Sequence, residues 1–319
     1  MIRIGVDLMG SERSPQALFD AVIRAYHHLG LSCQFHVFTT MDAWKGFPFC
    51  DEKIDFHFVN EVIEMTDEPL SSVRHKKNSS LALGMRLLKK KTIDAFISLG
   101  NTGALVTTAA ITLPLLKGIK RPALLATLPA INGHISILDV GGNISSKANE
   151  LLSFALMGVC YERAHFGIVD PKVGLLNVGA ESKKGSSEHR LAYELLEQSK
   201  VHFIGNVEGF EVFKGKANVI VTDGFAGNVL LKTAEGLAGY MIEHAKMKNT
   251  FNSELEERFS REKYPGAILL GLDGLIMKCH GGSSSISLFH TIQKVAIYIQ
   301  ESLINKIKLQ LEMLQMSES

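Results

Sequence analysis

The sequence has no excess of either charge, since 34 Lys and Arg residues balance 33 Asp and Glu, for a formal net charge of +1. Bulk binding of nucleic acid requires a strongly basic face, so this balance argues against that class while leaving local basic clusters open. Aromatic residues make up only 8% of the chain and are not interleaved with basic ones. We therefore expect no nucleic-acid partner.

Cysteine is also scarce, and its spacing excludes two kinds of site. The four residues Cys33, Cys50, Cys160 and Cys279 form no CxxC pair, so neither a zinc pattern nor a tight disulfide framework is predicted. This usage is typical of a reducing cytoplasm. Cys279 ends an apolar run, where thiols are usually buried and inert, so a nucleophilic cysteine is disfavoured. The opening residues "MIRIGVDLMG" predict a first β-strand rather than a signal peptide.

Several cofactor and nucleophile motifs are missing. The chain contains neither the G-x-G-x-x-G dinucleotide fingerprint nor a G-x-S-x-G nucleophile elbow. Residues 179–186, "GAESKKGS", approach a P-loop, but the spacing is one residue too long and the lysine precedes the last glycine. We reject a nucleotide P-loop there, although the loop's N–H groups and lysines could still hold a phosphate. We expect no cofactor and no metal.

One uncharged stretch, residues 95–116, is long enough to span a bilayer. Gly100, Asn101 and Gly103 interrupt it near the middle, and Pro114 lies near its end. These residues favour a strand, a loop and a buried helix over a transmembrane helix.

A repeated theme organises the chain. Six times, a short run rich in Val, Ile and Leu ends in a small polar cluster, and a helical pattern follows. Ser14, Pro15 and Gly30, for example, are suited to the cap, first turn and end of the first helix. The theme predicts an α/β fold: a three-layer, largely parallel sheet with helices on both faces and ligands beyond the carboxyl ends of the strands. We expect one domain over residues 1–319, with a helical excursion near 235–265.

Two of the clusters have the character of anion sites. In "SLGNTGA" (98–104), glycine lets the backbone approach an anion, and the next helix presents free N–H groups and the positive end of its dipole. Asn101 and Thr102 add side-chain donors. In "DGFAGNVLLK" (223–232), Asp223 ends a strand, Asn228 opens a helix, and Lys232 lies one turn further on the same face. A solvated helix lysine is the alternative interpretation of Lys232.

These motifs resemble those of the PlsX family, the fatty acyl-ACP:phosphate acyltransferases that make acyl-phosphate. The resemblance covers nearly the whole chain, with the segments in the family's order, among them "DLMGSERSP", "SLGNTGAL", "LDVGGN", "GLLNVGAESKKG", "VTDGFAGNVLLKTAEGLA" and "GLDGLIMKCHGGSS". There are departures: Ser11 and Glu12 stand where the family usually has Gly-Asp, and the segment between "EGLAGYM" and "YPGA" is shorter and more charged.

The resemblance implies a fold similar to that of the isocitrate/isopropylmalate dehydrogenases, which phosphate acetyltransferases also use. It implies a homodimer that takes its acyl group from acyl carrier protein. Peripheral membrane contact would serve delivery of acyl-phosphate to a glycerol-phosphate acyltransferase in phospholipid synthesis. The alternatives are a phosphate acetyl- or butyryltransferase acting on acyl-CoA and a non-catalytic phospho-ligand sensor. A β-decarboxylating dehydrogenase is disfavoured, because its metal-binding aspartates and cofactor loop are not found.

Phosphate at neutral pH is already a nucleophile, so the site needs donors and orientation rather than a serine or cysteine intermediate. The residues expected to bind phosphate are Asn101, Thr102, Gly103, Asn143 and Lys232. Lys184 is expected to balance charge, Asp223 and Asn228 to position the substrates, and His280 to donate to the oxyanion or leaving group. The carrier protein, which is acidic, is expected to dock on basic residues from three clusters: Arg74, Lys76 and Lys77; Lys117, Lys120 and Arg121; and Lys183.

Overall fold

The computed structural model describes residues 1–47, 51–248 and 266–316. The chain divides into two compact units: Met1–Leu116 with Pro265–Ile304, and Lys117–Tyr264 with Asn305–Ser319. The single domain expected from the sequence stays a prediction. Residues 249–265 of the expected helical excursion lie outside the described residues, and its first part belongs to a helix that ends at Met247.

The strands are β1 (Ile2–Asp7), β2 (Cys33–Thr39), β3 (Ile54–Phe58), β4 (Ala95–Ser98), β5 (Ala123–Ala130), β6 (Gly133–Leu138), β7 (Lys172–Leu176), β8 (His202–Val207), β9 (Val219–Val221), β10 (Ala267–Leu270) and β11 (Leu275–Lys278). The helices are α1 (Pro15–Leu29), α2 (Met41–Trp44), α3 (Pro69–His75), α4 (Ser80–Lys89), α5 (Thr102–Thr112), α6 (Ala148–Tyr161), α7 (Ser187–Gln198), α8 (Gly224–Met247), α9 (Ser285–Gln300) and α10 (Leu303–Met316).

In the first unit the strand order is β3-β2-β1-β4-β11-β10, with β10 antiparallel to β11 and the other neighbours parallel. Helices α1 and α9 pack together, as do α4 and α5. The approach of α4 to the sheet is close: a Cβ added at Gly84 would lie 2.0 Å from the Phe96 ring. The first helix begins and ends as predicted, because Ser14 Oγ accepts a hydrogen bond from the Ala17 N–H and Gly30 ends the helix at φ +61°.

In the second unit the strand order is β5-β6-β9-β7-β8; β5 and β6 are antiparallel and the remaining neighbours parallel. Helix α6 packs on β6, β7 and β9, where Gly158 allows close contact with Val219. Helix α7 packs on α6 and β8, and the N-terminal part of α8 packs on β6.

The α/β architecture predicted from the sequence is thus confirmed, as is the interpretation of residues 95–116, which form β4, a loop and α5. Within the described ranges, none of the helices combines the length and apolar character needed to cross a membrane. In both units the polar loops follow the carboxyl ends of parallel strands, where the candidate site residues lie.

Candidate active site

Asn101 organises the "GNTGA" loop of the first unit. It is the N-cap of α5, where its Oδ1 accepts from the Ala104 N–H at 3.0 Å. Its Nδ2 faces the backbone carbonyls of Glu64 (3.5 Å), Met65 (3.2 Å) and Asp67 (3.0 Å). The amide of this buried side chain therefore fastens the start of α5 to the 64–67 loop.

The first N–H groups of α5 are open. Across residues 1–47, 51–248 and 266–316, the backbone N–H groups of Thr102 and Gly103 find no acceptor, and both residues are half-buried. The start of an 11-residue helix carries the positive end of its dipole, so these two N–H groups suit an anion. Glycine is required at 103 by packing, because an added Cβ would lie 2.6 Å from Pro69 Cγ.

Asp7 lies beneath this loop at the end of β1. One carboxylate oxygen accepts from the Met9 N–H at 3.0 Å and the other from Ser98 Oγ at 2.9 Å. Ser98 Oγ in turn accepts from the Gly100 N–H at 3.1 Å. Burial raises the pKa of Asp7 to about 6, although these hydrogen bonds and the charge of Lys278 act in the opposite direction.

Lys278, the last residue of β11, is 7% exposed. Its Nζ donates to the carbonyl of Leu99 at 3.2 Å and to that of Cys279. Sequence reasoning named neither Lys278 nor Asp7 as a site residue. The sequence does indicate them, because each is a charged residue in a mostly apolar strand: Asp7 in "IRIGVDL" and Lys278 in "LIMKC".

The loop after β11 carries His280, whose side chain is exposed. Its Nδ1 accepts from the Gly282 N–H at 3.1 Å, and a neutral imidazole in this arrangement carries its proton on Nε2. Ser11 and Glu12 hold the same loop: Ser11 Oγ and the Glu12 N–H both donate to the Gly281 carbonyl, at 2.8 and 3.2 Å. Ser11 and Glu12, at which the sequence departs from the Gly-Asp of the family it resembles, thus tie the loop after β1 to the loop after β11.

In the second unit, Asp139 lies at the carboxyl end of β6, as Asp7 lies at the carboxyl end of β1 in the first unit. Its carboxylate accepts four hydrogen bonds, from the N–H groups of Leu124 (2.9 Å), Gly142 (2.9 Å) and Asn143 (2.6 Å) and from Asn143 Nδ2 (2.9 Å). Burial raises the pKa of Asp139. Asn143 Nδ2 also donates to the Pro122 carbonyl at 2.9 Å, so both N–H groups of this buried side-chain amide are used within the fold.

The start of α8 is closed by its neighbours. The Gly224 N–H donates to the Asn143 carbonyl at 2.8 Å, the Phe225 N–H to the Ile144 carbonyl at 3.3 Å, and the Ala226 N–H to Asp223 Oδ1 at 2.8 Å. Gly227 touches the backbone of the 139–143 loop so closely that an added Cβ would lie 1.9 Å from the Asp139 carbonyl oxygen. The first three N–H groups of α8 are therefore unavailable to a ligand.

The remaining predicted residues of the second unit are on its surface. Asn228 is exposed, with its side chain near Gly141. Lys184 is also exposed, in a loop held by two donors: Asn177 Nδ2 donates to the Lys184 carbonyl at 3.2 Å and Asn206 Nδ2 to the Glu181 carbonyl at 2.8 Å. Lys232 forms an ion pair with Glu235 at 2.8 Å, which matches the solvated-lysine alternative for it.

The structure brings the predicted residues into two groups. Asn101, Thr102, Gly103 and His280 belong to the first unit, and Asn143, Lys184, Asp223, Asn228 and Lys232 belong to the second. Their roles stay predictions. The geometry changes how two of them would act, because the Nδ2 groups of Asn101 and Asn143 are committed to backbone carbonyls and, for Asn143, to the Asp139 carboxylate, and so position loops.

The described cysteines do not have the environment of a nucleophile. Cys33, Cys160 and Cys279 are buried, and burial raises the pKa of each thiol, to about 12 for Cys33 and Cys160. Cys50 lies outside the described residues. In the part of the chain that the structure describes, no group of three or more His, Cys, Asp or Glu side chains could hold a metal ion.

Comparison with known proteins decides the family. Residues 2–306 match the model of the family described as "Fatty acid synthesis protein". The chain belongs to this family. Curated relatives carry the name phosphate acyltransferase: that of Thermoanaerobacter pseudethanolicus is 35% identical over 98% of both chains, and that of Chlamydia abortus is 38% identical over 91% of this chain and 93% of its own. The predicted PlsX membership and the predicted class of enzyme, an acyltransferase acting on phosphate, are confirmed.

Solved structures support the fold. A phosphotransacetylase from Streptococcus pyogenes matches with a TM-score of 0.59 at 18% identity, covering 98% of this chain and 94% of its own. A branched-chain phosphotransacylase from Enterococcus faecalis matches with a TM-score of 0.61 at 13% identity, covering 97% and 99%. The expected likeness to phosphate acetyltransferases is thus confirmed at the level of fold.

Proposed function

We propose that this family member transfers a fatty acyl group from the thioester of acyl carrier protein to inorganic phosphate. A phosphate oxygen attacks the thioester carbonyl carbon, the C–O bond forms and the C–S bond breaks. The products are acyl-phosphate and the free carrier. The leaving thiolate has a pKa of about 8.5 by analogy with cysteine, so strong acid catalysis is not required.

The observation that carries the proposal is the open start of α5. The N–H groups of Thr102 and Gly103 are held in place by the Asn101 cap and have no acceptor in the described parts of the chain. Two backbone donors and a helix dipole bind a phosphate dianion without forming a covalent bond to it, which leaves its oxygens nucleophilic. We assign phosphate to this loop and place donation to the oxyanion or leaving group at His280 Nε2–H.

For the second unit, we propose that the exposed Lys184 and Asn228 contact the substrates. Both side chains stand on loops whose backbones are fastened by buried polar residues, an arrangement that suits binding without rearrangement. Asp223 caps α8 and acts through the position of Asn228. Lys232, paired with Glu235, has the weakest support as a phosphate ligand.

Turnover tests the function directly. The purified protein should convert acyl-ACP and phosphate to acyl-phosphate, trapped as the hydroxamate, in the presence of EDTA and without nucleotide. Acyl-CoA of the same chain length is the matched competitor, because acyl-CoA is the acyl donor in the second candidate function. A higher kcat/KM with acyl-CoA would replace the proposed donor, and no product with either would favour a phospho-ligand sensor.

Docking of the acidic carrier protein is proposed on exposed basic residues. In the first expected cluster Lys76 has the weakest support, because its Nζ is bound to Asp67 at 2.5 Å and to the Val62 carbonyl at 2.7 Å. Arg74 and Lys77 remain exposed there. Reversing both charges should raise the KM for acyl-ACP and flatten its salt dependence, because rim charges set association rates over about 8 Å at physiological salt.

The matched control for docking is Arg24→Glu on α1, an exposed residue whose charge is paired with Asp20. It should leave the KM for acyl-ACP and its salt slope unchanged. The same charge-reversal test applies to the other two expected clusters, which are Lys117, Lys120 and Arg121, and Lys183. In the first of these Arg121 forms an ion pair with Glu150 at 3.5 Å. Unchanged acyl-ACP kinetics after reversal of every cluster would show that the carrier docks elsewhere.

We also propose that the chain forms the expected homodimer, through α8. Of the 24 residues of this helix only Gly224 and Gly227 are buried, whereas Leu237, Tyr240 and Met241 are 58%, 64% and 52% exposed. These three lie on one stripe at i, i+3 and i+4, and Met247 extends it. Light scattering should show a dimer for the wild type and a monomer for Leu237→Glu with Met241→Glu. A dimer that survives both changes would place the interface elsewhere.

Cytoplasmic location, peripheral membrane contact and transfer of the product to a glycerol-phosphate acyltransferase stay predictions from the family resemblance. Vesicle co-sedimentation of the wild type, with and without anionic lipid, tests the membrane contact.

A further inference from the structure

Three residues form a row across the first unit at the carboxyl ends of its strands. Asp7 of β1 and Lys278 of β11 are both paired in register with Ser98 of β4. Residues in register on parallel neighbours point to the same face of a sheet, so the two charges and the hydroxyl share one face. Asp7 is 1% exposed and Lys278 7% exposed.

The row holds one peptide group at both ends. The Leu99 carbonyl accepts from Lys278 Nζ at 3.2 Å, while the Gly100 N–H, on the other side of the same peptide bond, donates to Ser98 Oγ at 3.1 Å. Ser98 Oγ donates to Asp7. The plane of this peptide bond is therefore fixed, and the chain leaves it directly into Asn101, Thr102 and Gly103.

A buried lysine is expensive unless its charge is balanced and its hydrogens are bonded. The negative charge that balances Lys278 is that of the Asp7 carboxylate, whose ionised form Lys278 favours. The hydrogen bonds of Lys278 Nζ go to the carbonyls of Leu99 and Cys279. An apolar residue could fill the volume, but it could not hold the Leu99 carbonyl away from the phosphate. A carbonyl oxygen turned toward a dianion would repel it, whereas the N–H groups of α5 attract it.

We propose that Lys278 is a positioning residue for the phosphate loop, with Asp7 as its counter-ion. It orients the Leu99–Gly100 peptide so that the Thr102 and Gly103 N–H groups face the anion, and it adds a positive charge that solvent does not screen. The proposal rests on the proposed function for its turnover assay. Its binding assay stands on inorganic phosphate alone.

The test compares Lys278→Met, Lys278→Arg and a control, Lys294→Met. Lys294 is a half-buried lysine of α9 in the same unit, with its Nζ over the Tyr298 ring rather than at the loop. We expect Lys278→Met to raise the KM for phosphate tenfold or more while the KM for the acyl donor changes less than twofold. Lys278→Arg keeps the positive charge and should raise the KM for phosphate only about threefold, which is a partial rescue. Lys294→Met should leave both constants as in the wild type.

A second measurement separates positioning from simple destabilisation. Broadening of the ³¹P NMR line of inorganic phosphate reports binding by the folded protein, and circular dichroism confirms that each variant is folded. A folded Lys278→Met that binds phosphate like the wild type overturns the proposal. If Lys278→Met does not fold, Lys278→Arg decides in the same way, since an unchanged phosphate constant there overturns it too.

The outcomes distinguish this inference from the function it rests on. A wild type that binds phosphate but forms no acyl-phosphate contradicts the proposed function and leaves the binding comparison valid. A wild type that turns over, with Lys278 variants unaltered toward phosphate, contradicts only the positioning role. A wild type that binds no phosphate contradicts both.

Discussion

Helices α5 and α8 each begin after a parallel strand at a segment that contains glycine, one in each unit, and the two starts differ in what their N–H groups do. The first two N–H groups of α5 have no acceptor in the described ranges, whereas the first three of α8 are bonded to Asn143, Ile144 and Asp223. Similar sequence patterns thus give one open helix start and one closed start. The lesson is that a glycine loop before a helix becomes an anion site only if no neighbouring loop has taken its donors.

The supporting carboxylates differ in the same way. Asp139 accepts four hydrogen bonds, one from Leu124 of β5 and three from Gly142 and Asn143 of the loop after β6, and three of the four come from backbone N–H groups. Asp7 accepts from the Met9 N–H and from Ser98, and the charge of Lys278 favours its ionised form. The carboxylate near the closed start is thus held mainly by backbone N–H groups, whereas the one near the open start is held by one N–H group and one hydroxyl, with a lysine charge that favours its ionised form.

The largest expected effect lies at the closed start. Gly227→Ala should prevent stable folding, because the new Cβ would lie 1.9 Å from the Asp139 carbonyl oxygen, a backbone atom that cannot move aside. Thermal unfolding measures it. Gly236→Ala on the same helix is the control: nothing lies within 4 Å of its added Cβ, so it should be neutral or stabilising by up to about 1 kcal/mol. Equal melting temperatures for the two variants would contradict the close contact at Gly227.

The second prediction concerns the buried carboxyl of the open start. Because the pKa of Asp7 rises from 3.8 to about 6 on folding, the folded state binds its proton more tightly than the unfolded chain does. This group therefore favours folding below pH 4, and its contribution of about 3 kcal/mol is lost as the pH rises through 6.

Asp7→Asn removes that pH dependence. Denaturant unfolding at pH 4, 5 and 6 should show the wild type losing stability relative to Asp7→Asn as the pH rises. Asp20→Asn, an exposed change on α1, should retain the wild-type profile. Parallel profiles for the wild type and Asp7→Asn would refute the raised pKa.

The third prediction tests the open donors themselves. Thr102→Pro removes the N–H at the first position of α5, where proline fits a helix, and Asn101 at φ −54° and ψ 120° is already in the conformation that precedes proline. Loss of a hydrogen bond to a charged oxygen costs about 1.5–3 kcal/mol, so the KM for phosphate should rise about ten- to a hundredfold.

Thr102→Ala keeps the N–H and removes only the hydroxyl, so it is the matched control at the same position. Its phosphate KM should rise less than that of Thr102→Pro, and the difference measures the backbone donor. If the two variants behave alike, phosphate does not use the Thr102 N–H.

The smallest effect is expected from the thiols, one buried in each unit. Cys160→Ala with Cys279→Ala should retain substantial activity, because burial raises the pKa of both thiols and the proposed reaction has phosphate attack the thioester directly. Steady-state kinetics measure it. A covalent acyl-cysteine detected by mass spectrometry after denaturation would contradict direct attack.

Local signals predicted much of this molecule. The cap, first turn and end of α1 follow from Ser14, Pro15 and Gly30, and the break in residues 95–116 follows from Gly100, Asn101 and Gly103. Each of these features depends on neighbours within a few positions. The ion pair of Lys232 with Glu235 is equally local, and the helical spacing of the two residues indicates it.

Other parts of the site depend on contacts between distant segments. The occupation of the α8 N–H groups requires the 143–144 carbonyls, and the role of Lys278 requires Leu99 and Asp7. No spacing rule connects such positions, because the pairing is set by which strands become neighbours. Asn101 shows the limit well: its position in the loop was predictable, but the three carbonyls that occupy its amide were not.

The pairing of Asp7 with Lys278 also constrains how this chain can change over evolutionary time. Replacing Lys278 first would remove the positive charge that favours the ionised Asp7, and replacing Asp7 first would leave the buried Lys278 without that negative charge. Both positions could instead become apolar or exchange charge in one coupled event. Since the two residues have separate codons, a single mutation cannot make that change, and an intermediate would have to survive at reduced stability. A neutral change at either position is therefore disfavoured until the other has changed. The adjoining loops are also linked across a long sequence distance, since Ser11 and Gly281 are 270 residues apart.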